Sequence, residues 1–131
     1  MIGLDTNVLV RLLTADDPAQ LKAATRLLTA HEGEAGAFFV NDMVLVELVW
    51  VLGRSYGLGR DEVLSAVKSL LGSDGFAFED RERLDRAIGM CSAQACDFAD
   101  TMIVLKNAGA ACEYTASFDR AMRALPGVKL L

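Results

Sequence analysis

Two carboxylates lie in apolar stretches that give them no basic partner. Glu47 is the one charged residue between Met43 and Leu52, and Asp100 is followed by an apolar run one turn into a predicted helix. A carboxylate that is buried without a partner costs stability or takes up a proton. A bound cation removes that cost, so both residues are candidate metal ligands. For Glu47 the alternative is a mostly buried helix with a single exposed edge.

Three further aspartates follow predicted turns or begin predicted helices. Asp5 comes directly after the first apolar segment, and Asp119 lies a few residues beyond a second one at 111–115. Asp97 precedes Asp100 by three residues, so the two side chains share one helix face and repel each other. Each of the three also has a plainer interpretation as a helix N-cap, a position that favours aspartate.

The elements that would position these acids alternate along the chain. Short apolar segments are separated by helical patterns, which predicts βαβ units and a mostly parallel sheet covered on both faces. In such sheets ligands bind beyond the carboxyl ends of the strands. The helix after Asn41 or Asp42 is apolar almost all round, so we expect it to be buried. The apolar segments are 2–4, 37–40, 76–78, 111–115 and 128–131, and the helices are 7–13, 18–31, 43–56, 61–71, 80–94, 98–108 and 118–125.

Four carboxylates gathered at one sheet edge would require cations. Two of them about 4 Å apart repel by roughly 4 kcal/mol at an effective dielectric of 20. Oxygen-only ligation favours magnesium or manganese over zinc or copper. Two such ions can align a water and a leaving oxygen for attack on a phosphodiester, so the pattern indicates hydrolysis of nucleic acid.

Length, net charge and the counts of cysteine and histidine limit the number of domains and the kinds of catalysis that the chain can support. A chain of 131 residues predicts one domain, 1–131, and the net charge of −5 is compatible with a nuclease whose acidic site is neutralised by metal. Cys91, Cys96 and Cys112 are odd in number and follow no secretory leader, which predicts buried, reduced thiols in a cytoplasmic protein. His31 is the one histidine, so histidine-based triads have little support.

Four motifs together resemble the PIN-domain ribonucleases. The segment Leu4–Leu9 resembles their opening motif, and Glu47 resembles their second acidic position. Phe98–Ile103 resembles the third motif and Ser117–Asp119 the fourth. The resemblance covers essentially the whole chain in the right order, and the compact size resembles the VapC toxins of toxin–antitoxin pairs.

The resemblance implies an α/β/α sandwich, three layers around a central parallel sheet of four to five strands. It also implies Mg²⁺- or Mn²⁺-dependent endoribonuclease cleavage that leaves a 5′-phosphate and a 3′-hydroxyl. The expected partners are an RNA substrate, a second copy of the chain in a homodimer, and a VapB-type antitoxin whose C-terminal segment covers the active site. The implied catalytic and metal-binding set is Asp5, Glu47, Asp100 and Asp119, with Asp97 as a possible further ligand and Thr6, Asn7 and Ser117 as groups that hold carboxylates and water.

Two other functions remain open from the sequence. A PIN-like module kept only for binding would have the same motifs without catalysis. A phosphoacceptor signalling domain also gathers aspartates around Mg²⁺, but it would need an acidic pair early in the chain. Trp50 is expected in the core, and the candidates for phosphate contacts are Arg11, Arg54, Lys106, Arg120 and Arg123.

Overall fold

The structure, a computed structural model, describes every residue from Met1 to Leu131. The chain forms two compact units, Met1–Arg81 and Glu82–Leu131. The elements are β1 (Ile2–Gly3), α1 (Thr6–Thr14), α2 (Pro18–Ala30), β2 (Phe38–Val40), α3 (Asp42–Arg54), α4 (Arg60–Leu71), β3 (Phe76–Phe78), α5 (Arg81–Ala93), α6 (Phe98–Gly109), β4 (Thr115–Ser117), a 3₁₀ helix (Arg120–Ala124) and β5 (Val128–Leu130).

The first unit is built on a parallel sheet with the strand order β1-β2-β3. Phe38 of β2 is in register with Ile2 on one side and with Phe76 on the other. Parallel neighbours need a crossover connection, and each crossover here consists of two helices. Helix α1 packs on α2 and α3, and α3 packs on α4. Their apolar faces supply the core, in which the side chains of Leu9, Val40, Leu45, Leu48, Leu52 and Val67 have no solvent exposure.

The expectation that α3 is buried all round is wrong. Val44, Leu45 and Leu48 face the core, but Met43 is 82% exposed and Trp50 is 59% exposed. Glu47 lies between them on the same exposed face, because residues three and four positions apart are neighbours on a helix surface. Trp50 is therefore not a core residue of this chain.

The second unit contains α5, α6, the 3₁₀ helix and the parallel pair β4-β5, in which Thr115 is in register with Val128. Strand β4 begins four residues later than the predicted strand at 111–115. The chain at 111–114 is still closing the end of α6, because the Cys112 amide donates to the Asn107 carbonyl at 3.0 Å. Ala111 adopts a left-handed backbone with φ of 62°. Cys112 is exposed, which corrects the expectation of a buried thiol.

The α/β class with parallel strands is confirmed. The five strands are hydrogen-bonded as a sheet of three and a sheet of two. No helix is both long and apolar enough to span a lipid bilayer.

Candidate active site

Asp5 is the N-cap residue of α1, yet its side chain makes no capping hydrogen bond. The plainer interpretation of this aspartate as a cap therefore fails, and its exposed carboxylate stays free for a ligand. The other aspartate and asparagine N-caps all bond a backbone amide: Asp17 that of Gln20, Asn41 that of Val44, Asp97 that of Asp100 and Asp119 that of Ala121.

Two further acids follow strands of the same sheet as Asp5. Asp42 comes two residues after β2 and Glu79 directly after β3. Because the three strands are parallel, the residues that follow them lie at one sheet edge. The Asp42 amide donates to Glu79 Oε1 at 3.0 Å, which ties the start of α3 to the end of β3. Neither acid belongs to a motif that marked it in the sequence, although each follows an apolar segment as Asp5 does.

Glu47 lies on the exposed face of α3. The argument that burial forces this carboxylate to bind a cation is therefore wrong. The physical reason is that α3 buries only one side, so the charge is solvated rather than enclosed. What still supports Glu47 is its match to the second acidic motif and its place on a helix that packs against α1.

In the second unit the structure places Asp97, Asp100 and Asp119 within electrostatic range of one another. Partial burial raises the pKa of the Asp100 carboxyl, and the negative charges of Asp97 and Asp119 raise it further. A position in the first helical turn would by itself favour a negative charge. Here desolvation and repulsion outweigh that effect, so Asp100 holds its charge at a cost.

Two hydroxyls hold these aspartates in place. Ser117 Oγ accepts the Asp119 amide proton at 3.0 Å, and its expected role in holding a carboxylate or water stays a prediction. Thr101, which is fully buried, donates its hydroxyl proton to the Asp97 carbonyl at 2.7 Å. The sequence analysis missed this role of Thr101, and the signal for it was a hydroxyl inside an otherwise apolar run. Thr6 is buried at the start of α1 and Asn7 is exposed, and their supporting role stays a prediction.

The PIN domain family model matches residues 2–127 of the chain. This chain belongs to the PIN domain family. A comparison with curated proteins found no match. PIN domains are generally nucleases and typically depend on a metal ion, so membership assigns the chain to the hydrolases that act on nucleic acids.

The donor set of this PIN domain suits a hard divalent cation. Carboxylate oxygens are the ligands that Mg²⁺ and Mn²⁺ prefer. The negative charges of Asp97 and Asp119 contribute to the raised pKa of Asp100, and no positive charge is among the causes that act on it. No group of three or more acidic, histidine or cysteine side chains is close enough to enclose an ion as the side chains stand. The aspartates of the second unit therefore fit a cation in charge and in chemistry, and ligation requires them to turn toward it.

One candidate for a phosphate contact has another role in this PIN domain. Arg11 pairs with Asp16 at 3.0 Å and donates to the Tyr56 hydroxyl at 3.1 Å. Tyr56 in turn donates to Asp16 Oδ2 at 2.7 Å. Arg11 therefore links the turn between α1 and α2 to Tyr56, two residues beyond the end of α3. Arg54, Lys106, Arg120 and Arg123 are exposed.

Proposed function

We propose that this PIN domain is a Mg²⁺- or Mn²⁺-dependent endoribonuclease. The observation that carries the proposal is Asp100, whose half-buried carboxylate is flanked by the charges of Asp97 and Asp119. A chain selected only for stability gains nothing from that repulsion. A nuclease gains a binding site for the cation that phosphodiester hydrolysis needs.

The acids that would hold the cation are Asp5, Glu47, Asp100 and Asp119, and they are the proposed catalytic set. Asp5 is suited by its uncommitted carboxylate, and Asp119 by the Ser117 hydroxyl that fixes its backbone. Asp97 uses Oδ1 to cap α6, which leaves its second oxygen for the metal or for water. The family match runs through both units of the chain and supports a single PIN domain over residues 1–131.

Each of these side chains contributes oxygen ligands and negative charge and needs no proton transfer of its own at neutral pH. When bound, the cation supplies a water of lowered pKa and neutralises charge on the scissile phosphate. The Ser117 hydroxyl fixes the backbone at Asp119, and the capping bond of Asp97 fixes the start of α6 at Asp100. The one histidine, His31, is bonded to Glu34 at 3.0 Å, and no step requires it.

The test is the cleavage of end-labelled single-stranded RNA by the purified chain. We expect cleavage with Mg²⁺ or Mn²⁺, none with EDTA, and products with a 5′-phosphate and a 3′-hydroxyl. DNA of the same sequence is the control for the substrate class. Calorimetry that detects binding of Mg²⁺ and RNA but no cleavage would instead favour a silent binding module.

We further propose that the chain is the VapC-type toxin of a toxin–antitoxin pair in the cytoplasm. Its support is the match to the PIN domain family over residues 2–127 together with the four acidic motifs, which resemble those of such toxins. Expression in a bacterial host should arrest growth, and an Asp100→Asn variant should not. Coexpression of a small DNA-binding protein encoded beside the gene should restore growth and copurify with the chain as a VapB-type antitoxin. Growth arrest that Asp100→Asn also causes would contradict the toxin role.

A homodimer is part of the same proposal. Its support is the exposed face of α3, on which Met43 and Trp50 flank Glu47 and Arg54 follows one turn later. Large apolar side chains at the surface of a soluble chain mark interaction surfaces.

A further inference from the structure

Two of the three thiols lie close together at the start of α6. Cys91, in the last turns of α5, and Cys96, just before the N-cap of α6, are both buried. Their sulfur atoms are 3.6 Å apart, and the Thr101 hydroxyl lies 3.5 Å from the first and 3.4 Å from the second. A disulfide bond is about 2 Å long, so bond formation needs an approach of roughly 1.6 Å.

The segment that would move is short, because only residues 94–96 lie between the end of α5 and the N-cap of α6. Residues 92–95 are exposed, and the Cys96 amide donates to the nearby Gln94 carbonyl at 2.8 Å. The pair is thus held between a helix end and a connecting segment rather than between two strands of a sheet. Motion of connecting segments is less costly than motion of packed elements. Both sulfurs are buried, so oxidation requires this segment to open.

The chain position of Cys96 links such movement to the candidate active site. Its neighbour Asp97 caps α6 by accepting the Asp100 amide proton at 2.9 Å. Thr101, which contacts both sulfurs, donates to the Asp97 carbonyl. A shift of Cys96 toward Cys91 therefore pulls on the cap that orients Asp97 and Asp100.

We propose that Cys91 and Cys96 are a reversible disulfide site whose oxidation displaces the N-terminus of α6 and so disables the acids there. The chemical class of the oxidant is a peroxide. The thiolate of one cysteine attacks the peroxide oxygen and becomes a sulfenic acid, and water or an alcohol leaves. The other thiolate attacks that sulfur and expels hydroxide, which takes up a proton to form water. Two electrons pass from the thiols to the peroxide. A dithiol reductant later restores both thiols by thiol–disulfide exchange and becomes a disulfide itself.

The test uses the folded full-length chain with Cys112→Ser, which removes the exposed thiol and leaves the pair. After treatment with hydrogen peroxide we expect the loss of the mass of two hydrogen atoms. Peptide mapping without reductant should yield a Cys91–Cys96 cross-linked peptide, and dithiothreitol should restore the original mass. Oxidised protein without that peptide would overturn the proposal. Cys96→Ser in the same background is the matched control and should show no such loss.

Hydrogen exchange measures whether the disulfide displaces the start of α6, and this measurement does not depend on nuclease activity. The Asp100 and Thr101 amides should exchange at least about tenfold faster in the oxidised form, because the cap that protects them is pulled away. Equal exchange in both forms would overturn the coupling even if the disulfide forms. The loss of nuclease activity on oxidation rests on the proposed function. If the reduced chain does not cleave RNA, that function fails, and the mapping and exchange results still decide the disulfide proposal.

Discussion

The carboxylates of this PIN domain differ in what their surroundings do to them. Asp16 is held by the hydroxyls of Tyr56 and Thr14 and by the charge of Arg11, all of which lower its pKa. Asp100 is half-buried beside two other aspartates, which raises its pKa. A lowered pKa, as for Asp16, shows that the charged carboxylate stabilises the fold. A raised pKa, as for Asp100, shows that the charged carboxylate lowers the stability of the fold.

Asp100→Asn should stabilise the metal-free protein at neutral pH. The substitution removes the repulsion, and we expect a gain of about 0.5 kcal/mol after allowance for solvent screening, which corresponds to roughly 2 °C in Tm. The measurement is thermal unfolding of both proteins in EDTA. A lower Tm for the variant at pH 7 would contradict the account of Asp100.

The difference in stability between Asp100→Asn and the wild type should depend on pH. Because the folded pKa of Asp100 is raised, the folded chain holds this proton more firmly than the unfolded chain. The stabilising effect of this bound proton is fully present below pH 3.8, the ordinary pKa of an aspartate. It is lost as the pH rises through the pKa of Asp100 in the folded chain. The advantage of Asp100→Asn should therefore vanish in acid and appear as the pH rises, which unfolding curves from pH 3 to 7 can measure.

Tyr56→Phe should show the opposite pH dependence. The variant loses the hydroxyl that donates to Asp16 and accepts from Arg11. Since the folded pKa of Asp16 is lowered, its stabilising effect is present above 3.8 and is lost as pH falls through the folded value. The Tm difference between wild type and variant should be largest near neutral pH and shrink below pH 4. A difference that does not change with pH would show that the ring packing, not the carboxylate, is what matters.

The residue types that bear on the site were visible in the sequence, and their surroundings were not. The four acids, Asp97 and Ser117 could all be named from their motifs. That Glu47 is solvated could not be predicted, because hydrophobicity along α3 does not tell which side packs. Asp42 and Glu79 could have been found by applying the strand-end rule used for Asp5 to every apolar segment.

At the scale of elements, Asp17 and Asp5 occupy the same N-cap position in two helices and differ in what their side chains bond. Asp17 precedes Pro18 and bonds the Gln20 amide, so both the sequence signal and the structure agree on a cap. Asp5 has the same position before α1 and makes no such bond. The two residues therefore form a matched pair for mutagenesis.

Asp17→Ala should lower the free energy of unfolding by about 1 kcal/mol, the usual effect of removing a capping side chain. Asp5→Ala should lower it by much less, because no capping bond is lost, and should still abolish nuclease activity. Urea unfolding of the two variants and wild type provides the comparison. An equal loss of stability in both variants would mean that Asp5 is a cap after all.

Element boundaries were predictable where capping residues or helix periodicity marked them. Asp17 with Pro18 and Asn41 fixed the starts of α2 and α3, and the apolar spacing located α4. The misplaced strand was β4, because three of the four residues at 111–114 are apolar although this stretch turns at the end of α6. A left-handed alanine such as Ala111 gives no signal in composition.

At the scale of the whole molecule, the exposed face of α3 is the feature that a single chain leaves unexplained. Trp50→Glu removes the largest apolar side chain of that face, places a second carboxylate one turn from Glu47, and should leave a monomer at concentrations where the wild type is a dimer. Analytical ultracentrifugation measures the two masses. Ser65→Glu, at an exposed position of α4, makes the same change in net charge, is the control and should remain a dimer. A dimer that survives Trp50→Glu would place the interface elsewhere.

The central claim is that the acidic set carries metal-dependent cleavage of RNA. The most direct measurement compares the rate of RNA cleavage in Mg²⁺ by wild type, Asp5→Asn, Asp100→Asn and the control Asp85→Asn, an exposed acid on α5. Groups that only support metal ligands cost about 10- to 100-fold when removed, so the first two variants should lose at least about 100-fold and the control almost nothing. Cleavage by Asp5→Asn and Asp100→Asn at the wild-type rate would show that the assigned site is wrong.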